Sequence, residues 1–283
     1  MTENELILTH ILNCSRSDLY LCKPQLTARQ QKQLENCKRR RRKGEPLQYI
    51  LGVCDFMGFE LKVDHRVLIP RPETEVLVDE AIQRIKNLSS PKILDLGTGS
   101  GNIAITLAKL VPGALITTAD ISKDALDLAK ENAKRHSVEG RIKFIQADML
   151  VSLRAPASCC RKTAAGGNDT RIFDLIISNP PYIPTAQMKA LPADVQQEPR
   201  AALEAGKDGL KFYREIIKHT PPLLRSGGYL MMEFGDACLP AGRDRISQAS
   251  EIQSMIEHTR SFSRVEIIKD LTGKDRIICA RKF

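Results

Sequence analysis

A mainly parallel β-sheet covered by helices on both faces, with a small helical module in front of it, is the α/β architecture that this chain of 283 residues predicts. Three observations carry that expectation. From Ser90 onward, short apolar runs alternate with segments of helical periodicity, the pattern of parallel strands joined by crossover helices. Seven runs read as strands, near 92–96, 115–119, 142–146, 173–178, 228–234, 264–269 and 276–281. The last two are too close for a crossover helix, and Thr272-Gly273-Lys274-Asp275 is short enough to be the turn of an antiparallel hairpin.

The N-terminal part reads differently. Residues 5–12 carry apolar side chains at helical spacing, Ser17-Asp18-Leu19-Tyr20 opens a second short element, and 27–43 is a polar helix rich in Gln and Arg. Four or five short helices are expected before residue 50. Residues 56–63 alternate like a hairpin with Gly58 near its bend. Pro70 and Pro72 interrupt the chain just before a helix over 73–86, which leads into the first central strand. The expected division is a helical domain over 1–53, a hairpin linker over 54–72 and the sheet domain over 73–283.

The first central strand, Lys92-Ile93-Leu94-Asp95-Leu96, runs into Gly97-Thr98-Gly99-Ser100-Gly101 and then a helical segment over 102–110. Glycines let a ligand approach the backbone, and a helix start supplies free N–H groups. A tight strand-to-helix turn needs glycine for steric reasons too. The next strand ends in Asp120, 19 positions after Gly101, close to the offset at which a carboxylate meets ribose hydroxyls in nucleotide-binding units. An N-cap for the following helix is the plainer role for that residue. The loop lacks the third glycine of the dinucleotide fingerprint and has no phosphate-binding Lys. Asp95 beside it suits a cationic ligand end rather than a pyrophosphate. Together these features favour S-adenosylmethionine over NAD or ATP.

The fourth central strand ends in Asn179-Pro180-Pro181-Tyr182. Two prolines fix φ and remove two N–H donors, so this corner offers mainly acceptors, the Asn179 side-chain oxygen and the Pro180 carbonyl. An NH2 group with both hydrogens accepted there is held with its nitrogen aimed at one point, while the Tyr182 ring covers the face of the amide or base. A plain strand-ending turn is the alternative for the isolated tetrapeptide.

Asp-Leu-Gly-Thr-Gly-Ser-Gly at 95–101, Asn-Pro-Pro-Tyr-Ile-Pro at 179–184, Ile-Pro-Arg-Pro-Glu-Thr-Glu at 69–75 and Glu-Pro-Leu-Gln-Tyr-Ile-Leu-Gly at 45–52 together resemble the HemK/PrmC family, the peptide chain release factor glutamine N5-methyltransferases. The resemblance spans nearly the whole chain, and the two N-terminal motifs narrow it, since Asn-Pro-Pro-Tyr alone is shared with adenine methyltransferases. It implies a Rossmann-like, seven-stranded class I methyltransferase domain using S-adenosylmethionine. The implied substrate is the glutamine of the Gly-Gly-Gln motif in class 1 release factors. The implied cofactor residues are Asp95, Gly97, Thr98, Gly99, Ser100, Gly101, Asp120, Asp148, Met149 and Asn179. Asn179, Pro180 and Tyr182 are the implied catalytic residues, and Pro181 joins them in holding substrate. Residues 70–75 border the active site by the same resemblance, although their proline spacing and acidic residues also suit a simple helix start. Two other targets stay open, a glutamine of a ribosomal protein and the N6 of adenine in DNA or RNA. A large recognition insert for the latter is not visible, with 5% aromatics and no Trp. A non-catalytic, RNA-associated module is a further alternative, which leaves Asn-Pro-Pro-Tyr unexplained.

Other features bound the function. No apolar stretch approaches a membrane span and the start is acidic and polar, so the protein is expected in the cytosol. Eight cysteines, including the adjacent Cys159 and Cys160, show no C-x-x-C pair, so reduced thiols and no metal are expected. None of the five His sits near a Ser or Cys motif that suggests a catalytic triad. The net charge of +9 points toward an acidic partner. An unbroken basic run at 38–43 suits either a ribosome or RNA contact or a solvated helix end. A monomer is expected. Segments 154–171 and 236–250 are longer than the family pattern leads one to expect, and Met149 stands where an aromatic is common.

Overall fold

The computed structural model describes residues 2–22, 24–148, 172–235 and 247–283. Met149, Cys159, Cys160, Cys238, segment 154–171 and most of 236–250 therefore lie outside the described residues. Helices α1 (Glu3–Leu12), α2 (Arg16–Leu21), α3 (Ala28–Arg42) and α4 (Leu47–Leu51) form the N-terminal part. The first three each start at a capping box, Thr2 with Glu5, Ser15 with Asp18 and Thr27 with Gln30, which satisfies backbone donors that a short helix leaves orphaned. Their small core is Ile7, Leu34 and Leu47, with Leu6, Ile11 and Leu26 around it.

Strands β1 (Val53–Phe56) and β2 (Phe59–Lys62) form the hairpin, one strand starting earlier than the alternation suggested. Its two-residue turn, Met57-Gly58, has positive φ at both positions (50° and 78°), the twist that suits an antiparallel pair. The hairpin is not a loose linker. Asn132 accepts from the Lys62 N–H (2.8 Å) and donates to the Lys62 carbonyl (2.9 Å) and to the Ser100 carbonyl (2.9 Å), fastening the hairpin to the glycine loop.

Helix α5 (Pro72–Ile85) follows, with Pro72 in its first turn where a missing N–H costs nothing. The sheet comprises β3 (Lys92–Leu96), β4 (Leu115–Asp120), β5 (Ile142–Gln146), β6 (Phe173–Ser178), β7 (Leu224–Glu233), β8 (Phe262–Lys269) and β9 (Asp275–Lys282). Their order is β5-β4-β3-β6-β7-β9-β8, with β9 antiparallel to both its neighbours and the other pairings parallel. The expected terminal hairpin is present.

Alternate residues of the central strands fill two cores. Ile93, Leu175, Ile177, Met231 and Ile277 face one layer, which includes α5 and helix α6 (Asn102–Leu110). Leu94, Ile176, Leu230, Met232 and Ile278 face helices α8 (Lys211–His219) and α9 (Gln248–His258). Helix α7 (Lys123–Arg135) covers β4 and β5. Burial on both faces explains why these strands read as unbroken apolar runs. Strand β7 starts four residues before the expected position: its pairing with β6 shifts register between Phe173 and Leu175, so Gly227-Gly228, which look like a turn, are carried inside the strand.

Candidate active site

The chain leaves β3 to the β4 side and β6 to the β7 side, so the carboxyl ends of β3 and β6 flank the point where strand order reverses, the usual ligand crevice of such sheets. Gly97, Asp120, Asn179 and Glu233 all lie there. Gly99 has φ 53°, and a Cβ on it would meet nothing within 4 Å, so this glycine borders open space. Gly101 differs. A Cβ there would come within 2.9 Å of Ile105 and 3.2 Å of Ala129, so it serves the packing of α6 on α7.

Asp120 accepts from the Gly99 N–H through Oδ2 and from the Ser122 N–H through Oδ1, both at 2.9 Å. Burial raises its carboxyl, and the backbone donors, Gly99 first, oppose that. Each oxygen keeps a second lone pair for a hydroxyl ligand. Asp148 is half-buried just beyond β5, beside Ala147, whose N–H donates to the Asp120 carbonyl (2.9 Å).

Asp95 is deeper than its sequence position suggests, with 0% of the residue exposed. Its Oδ2 accepts from the Thr118 hydroxyl at 2.8 Å, while Oδ1 has no partner. Burial pushes its carboxyl up to about 6, against the hydroxyls of Thr98 and Thr118. Thr98 lies close enough to favour the charged form, yet its own hydroxyl meets no hydrogen-bond geometry. Ser100 Oγ is also buried without a partner.

At the end of β6, the Ser178 hydroxyl donates to the Leu96 carbonyl (2.7 Å), joining this strand to the start of the glycine loop. The Asn179 amide nitrogen donates to Thr74 Oγ1 (3.0 Å), and the Thr74 hydroxyl donates to Glu233 Oε2 (2.7 Å). Thr74 and Glu233 are 0% and 1% exposed. Pro180 is buried and Pro181 half-buried. The Tyr182 ring lies so close to Gly235 that a Cβ there would come within 2.6 Å of it, and burial pushes its phenol up to about 12. Gln248 holds this corner from behind: it donates to the carbonyls of Tyr182 (3.2 Å) and Gly209 (3.1 Å) and accepts from the Gly235 N–H (3.1 Å).

A cavity of about 230 Å³ opens beside Asn179 and Tyr182, walled by Leu68, Ile183, Val195 and Leu203, with Arg71 at its side. Arg71 pairs with the buried Glu198, whose Oε2 also accepts from the Ile69 N–H at 3.0 Å. Burial raises the Glu198 carboxyl, and Arg71 opposes it. The segment 69–75 thus borders the site, as the resemblance implied. Glu75 also accepts from the Met57 N–H at 2.8 Å, tying α5 to the hairpin turn.

A family model described as the PrmC N-terminal domain matches residues 2–52, and one described as a methyltransferase domain matches residues 87–267. The release factor glutamine methyltransferase of Chlorobaculum tepidum is 41% identical over 279 residues, covering 96% of this chain and 87% of that protein. The one from Geobacter sulfurreducens is 39% identical over 282 residues, covering 99% and 88%. The chain belongs to the release factor glutamine methyltransferase family. Among solved structures, the hMettl16 catalytic domain in complex with MAT2A 3′UTR hairpin 1 matches with a TM-score of 0.58 at 14% identity, covering 90% of this chain and 80% of that one, a likeness of fold alone.

The methyl donor of this family member is S-adenosylmethionine, and the crevice fits it. Three polar atoms around the loop, Asp95 Oδ1, Thr98 Oγ1 and Ser100 Oγ, await partners, a buried carboxylate matches a cationic end, and the space beside Gly99 is open. Glu233, Glu198 and Gln248 are contacts that the sequence did not single out, and Thr74 stood out only as part of the segment 70–75. Glu233 left a signal, an acid closing the apolar run Tyr229-Leu230-Met231-Met232.

Proposed function

We propose that this chain transfers a methyl group to the side-chain amide nitrogen (N5) of the glutamine in the Gly-Gly-Gln motif of class 1 release factors, as a monomer in the cytosol. One observation supports it most. The amide nitrogen of Asn179 is committed to Thr74, which leaves Oδ1 as the end that a ligand in the cavity meets.

An amide nitrogen is a weak nucleophile because its lone pair is delocalised into the carbonyl. Asn179 Oδ1 and the Pro180 carbonyl accept its two hydrogens, which raises electron density on nitrogen and fixes its direction. Pro181 keeps the corner rigid, and Tyr182 covers the flat face of the carboxamide. The cofactor supplies a methyl on a sulfonium, whose departure leaves a neutral thioether. The glycine loop, Thr98 and Ser100 would hold its amino-acid end with Asp95, Asp120 would take the ribose hydroxyls, and Asp148 would border the adenine. The proton of the methylated nitrogen leaves late to water, and no Asp or Glu base is needed.

Residues 1–53 serve as the substrate-recognition domain, 54–72 as linker and 73–283 as the transfer domain. The basic run at 38–43 acts partly within the protein: Lys38 pairs with Glu35, Arg40 with Glu45, and Arg41 with Glu3 and Asp194. Arg39, Arg42 and Lys43 are exposed and remain for an acidic partner such as ribosomal RNA. Incubation with labelled S-adenosylmethionine and, separately, a class 1 release factor, ribosomal protein and DNA tests the substrate. Label on the release factor glutamine is expected, and label on either other target alone overturns the proposal.

A further inference from the structure

The amide of Asn179 is useful only one way round. A substrate NH2 group is a donor, so the pocket must show it the oxygen of Asn179, while a 180° flip would show it another donor. A hydroxyl has one proton, and the bond between Thr74 Oγ1 and Glu233 Oε2 (2.7 Å) consumes it when the carboxylate is ionised and acceptor-only. Thr74 then has only lone pairs for Asn179, so the nitrogen must face it, as observed at 3.0 Å. With Glu233 protonated, the sequence of donors reverses: the carboxyl donates to Thr74, the hydroxyl proton turns to Asn179, and the amide oxygen is drawn away from substrate.

Resting on the proposed function, we propose that Thr74 and Glu233 are positioning residues for methyl transfer, a two-bond relay that sets which end of the Asn179 amide the substrate meets. Neither touches substrate in this scheme. The groups facing Glu233 are Thr74, Glu73 and Arg71 at the start of α5, Arg276 from β9, Tyr182 beyond β6, and Tyr213 from α8, whose hydroxyl donates to the Glu233 carbonyl at 2.8 Å. Burial raises the Glu233 carboxyl to about 7, opposed by Thr74 and Arg276 and reinforced by Glu73, so the relay reverses as the medium becomes mildly acidic.

The test is a pH profile of kcat for methylation of a release factor by wild-type, Thr74→Val, Thr74→Ser and Glu233→Gln enzymes. Wild type and Thr74→Ser are expected to share an acid limb, with its midpoint near 7 in the companion profile of kcat/KM, which reports the free enzyme. Thr74→Val is expected to lose roughly ten- to a hundredfold in kcat and to lose the acid limb, with KM little changed. Glu233→Gln should also lose the limb. A Thr74→Val profile that keeps the limb, or wild-type kcat in that variant, overturns the relay. Should Thr74→Val not fold, Thr74→Ser and Glu233→Gln give the same decision. The side-chain NH2 resonances of Asn179, followed by NMR in the free enzyme, are expected to move with the Glu233 titration. Their indifference to pH and to Glu233→Gln overturns the relay even if release factor proves not to be the substrate. An inactive wild type with those resonances still titrating overturns only the substrate.

Discussion

Substituting Gly235 by Ala tests the tightness of the catalytic corner, because the methyl would enter at 2.6 Å from Tyr182 Cδ2 and 2.7 Å from Cε2. Ordinary carbon contacts are about 3.6 Å, so the ring must retreat by about 1 Å. Gly235 does not occupy the left-handed region, so the new side chain adds no backbone strain and the effect is steric. Behind the ring the backbone cannot yield easily, since the Tyr182 carbonyl is bonded to Gln248 and sits where a Cβ on Gly209 would be only 2.5 Å away. The retreat is therefore toward the cavity beside Asn179. Overpacking of this kind costs about 1–3 kcal/mol, and 1 Å of misplacement at a reacting centre costs on the order of a hundredfold in rate. Gly235→Ala is expected to lower kcat for release factor methylation about a hundredfold and Tm by roughly 2–4 °C per kcal/mol, with cofactor affinity by calorimetry unchanged. A variant with kcat within about twofold of wild type and an unaltered Tm would show that the ring is not fixed where this geometry puts it.

Asn179→Ala is expected to abolish turnover while keeping S-adenosylmethionine binding within about tenfold, or 1.4 kcal/mol, by calorimetry; full activity would refute the amide clamp. Asp95, with its carboxyl raised to about 6, favours the protonated form when the cofactor is absent. Stability of the free enzyme from this group is full below about pH 4 and falls by about 3 kcal/mol as pH rises through 6, and a cationic ligand relieves that loss. The cofactor-induced rise in Tm should therefore be larger at pH 8 than at pH 5, and Asp95→Asn should flatten the difference; an equal rise at both values contradicts it. Arg71→Ala leaves Glu198 buried without its cation and should cost about 3 kcal/mol in denaturant unfolding, whereas the double variant Arg71→Ala with Glu198→Leu should recover much of it. If the two substitutions add without recovery, the pair is not coupled as its geometry says.

The central strands β3 and β6 were legible because they are buried on both sides and end at glycine or before proline. Residues 92–96 and 173–178 were placed at their observed bounds from that pattern, and 142–146, an edge strand with Lys143 and Gln146 exposed, from its place in the alternation with helices. The start of β7 was not, since Gly227-Gly228 signal a turn and only the pairing with β6 shows that a register shift absorbs them. In the site, the glycine loop and Asn-Pro-Pro-Tyr carry their chemistry in contiguous residues. Thr74 and Glu233 do not: they are 159 positions apart, and Thr74 is 105 from Asn179. A threonine in a helix's first turn and an acid at a strand end are each ordinary, and acquire meaning only when α5 is laid under the ends of β6 and β7. The depth of Asp95 was hidden for a similar reason. A sequence shows a carboxylate next to a loop, but how much protein covers it depends on Thr98 and Thr118 from either side.

Gln248 spends its whole amide on three distant stretches of backbone, including Gly235, 13 positions earlier. Gly235 and Gln248 are thereby pinned to each other and to the backbone behind the ring. One glutamine thus serves as a common peg for the backbone at Tyr182, Gly209 and Gly235, and its loss would release all three together.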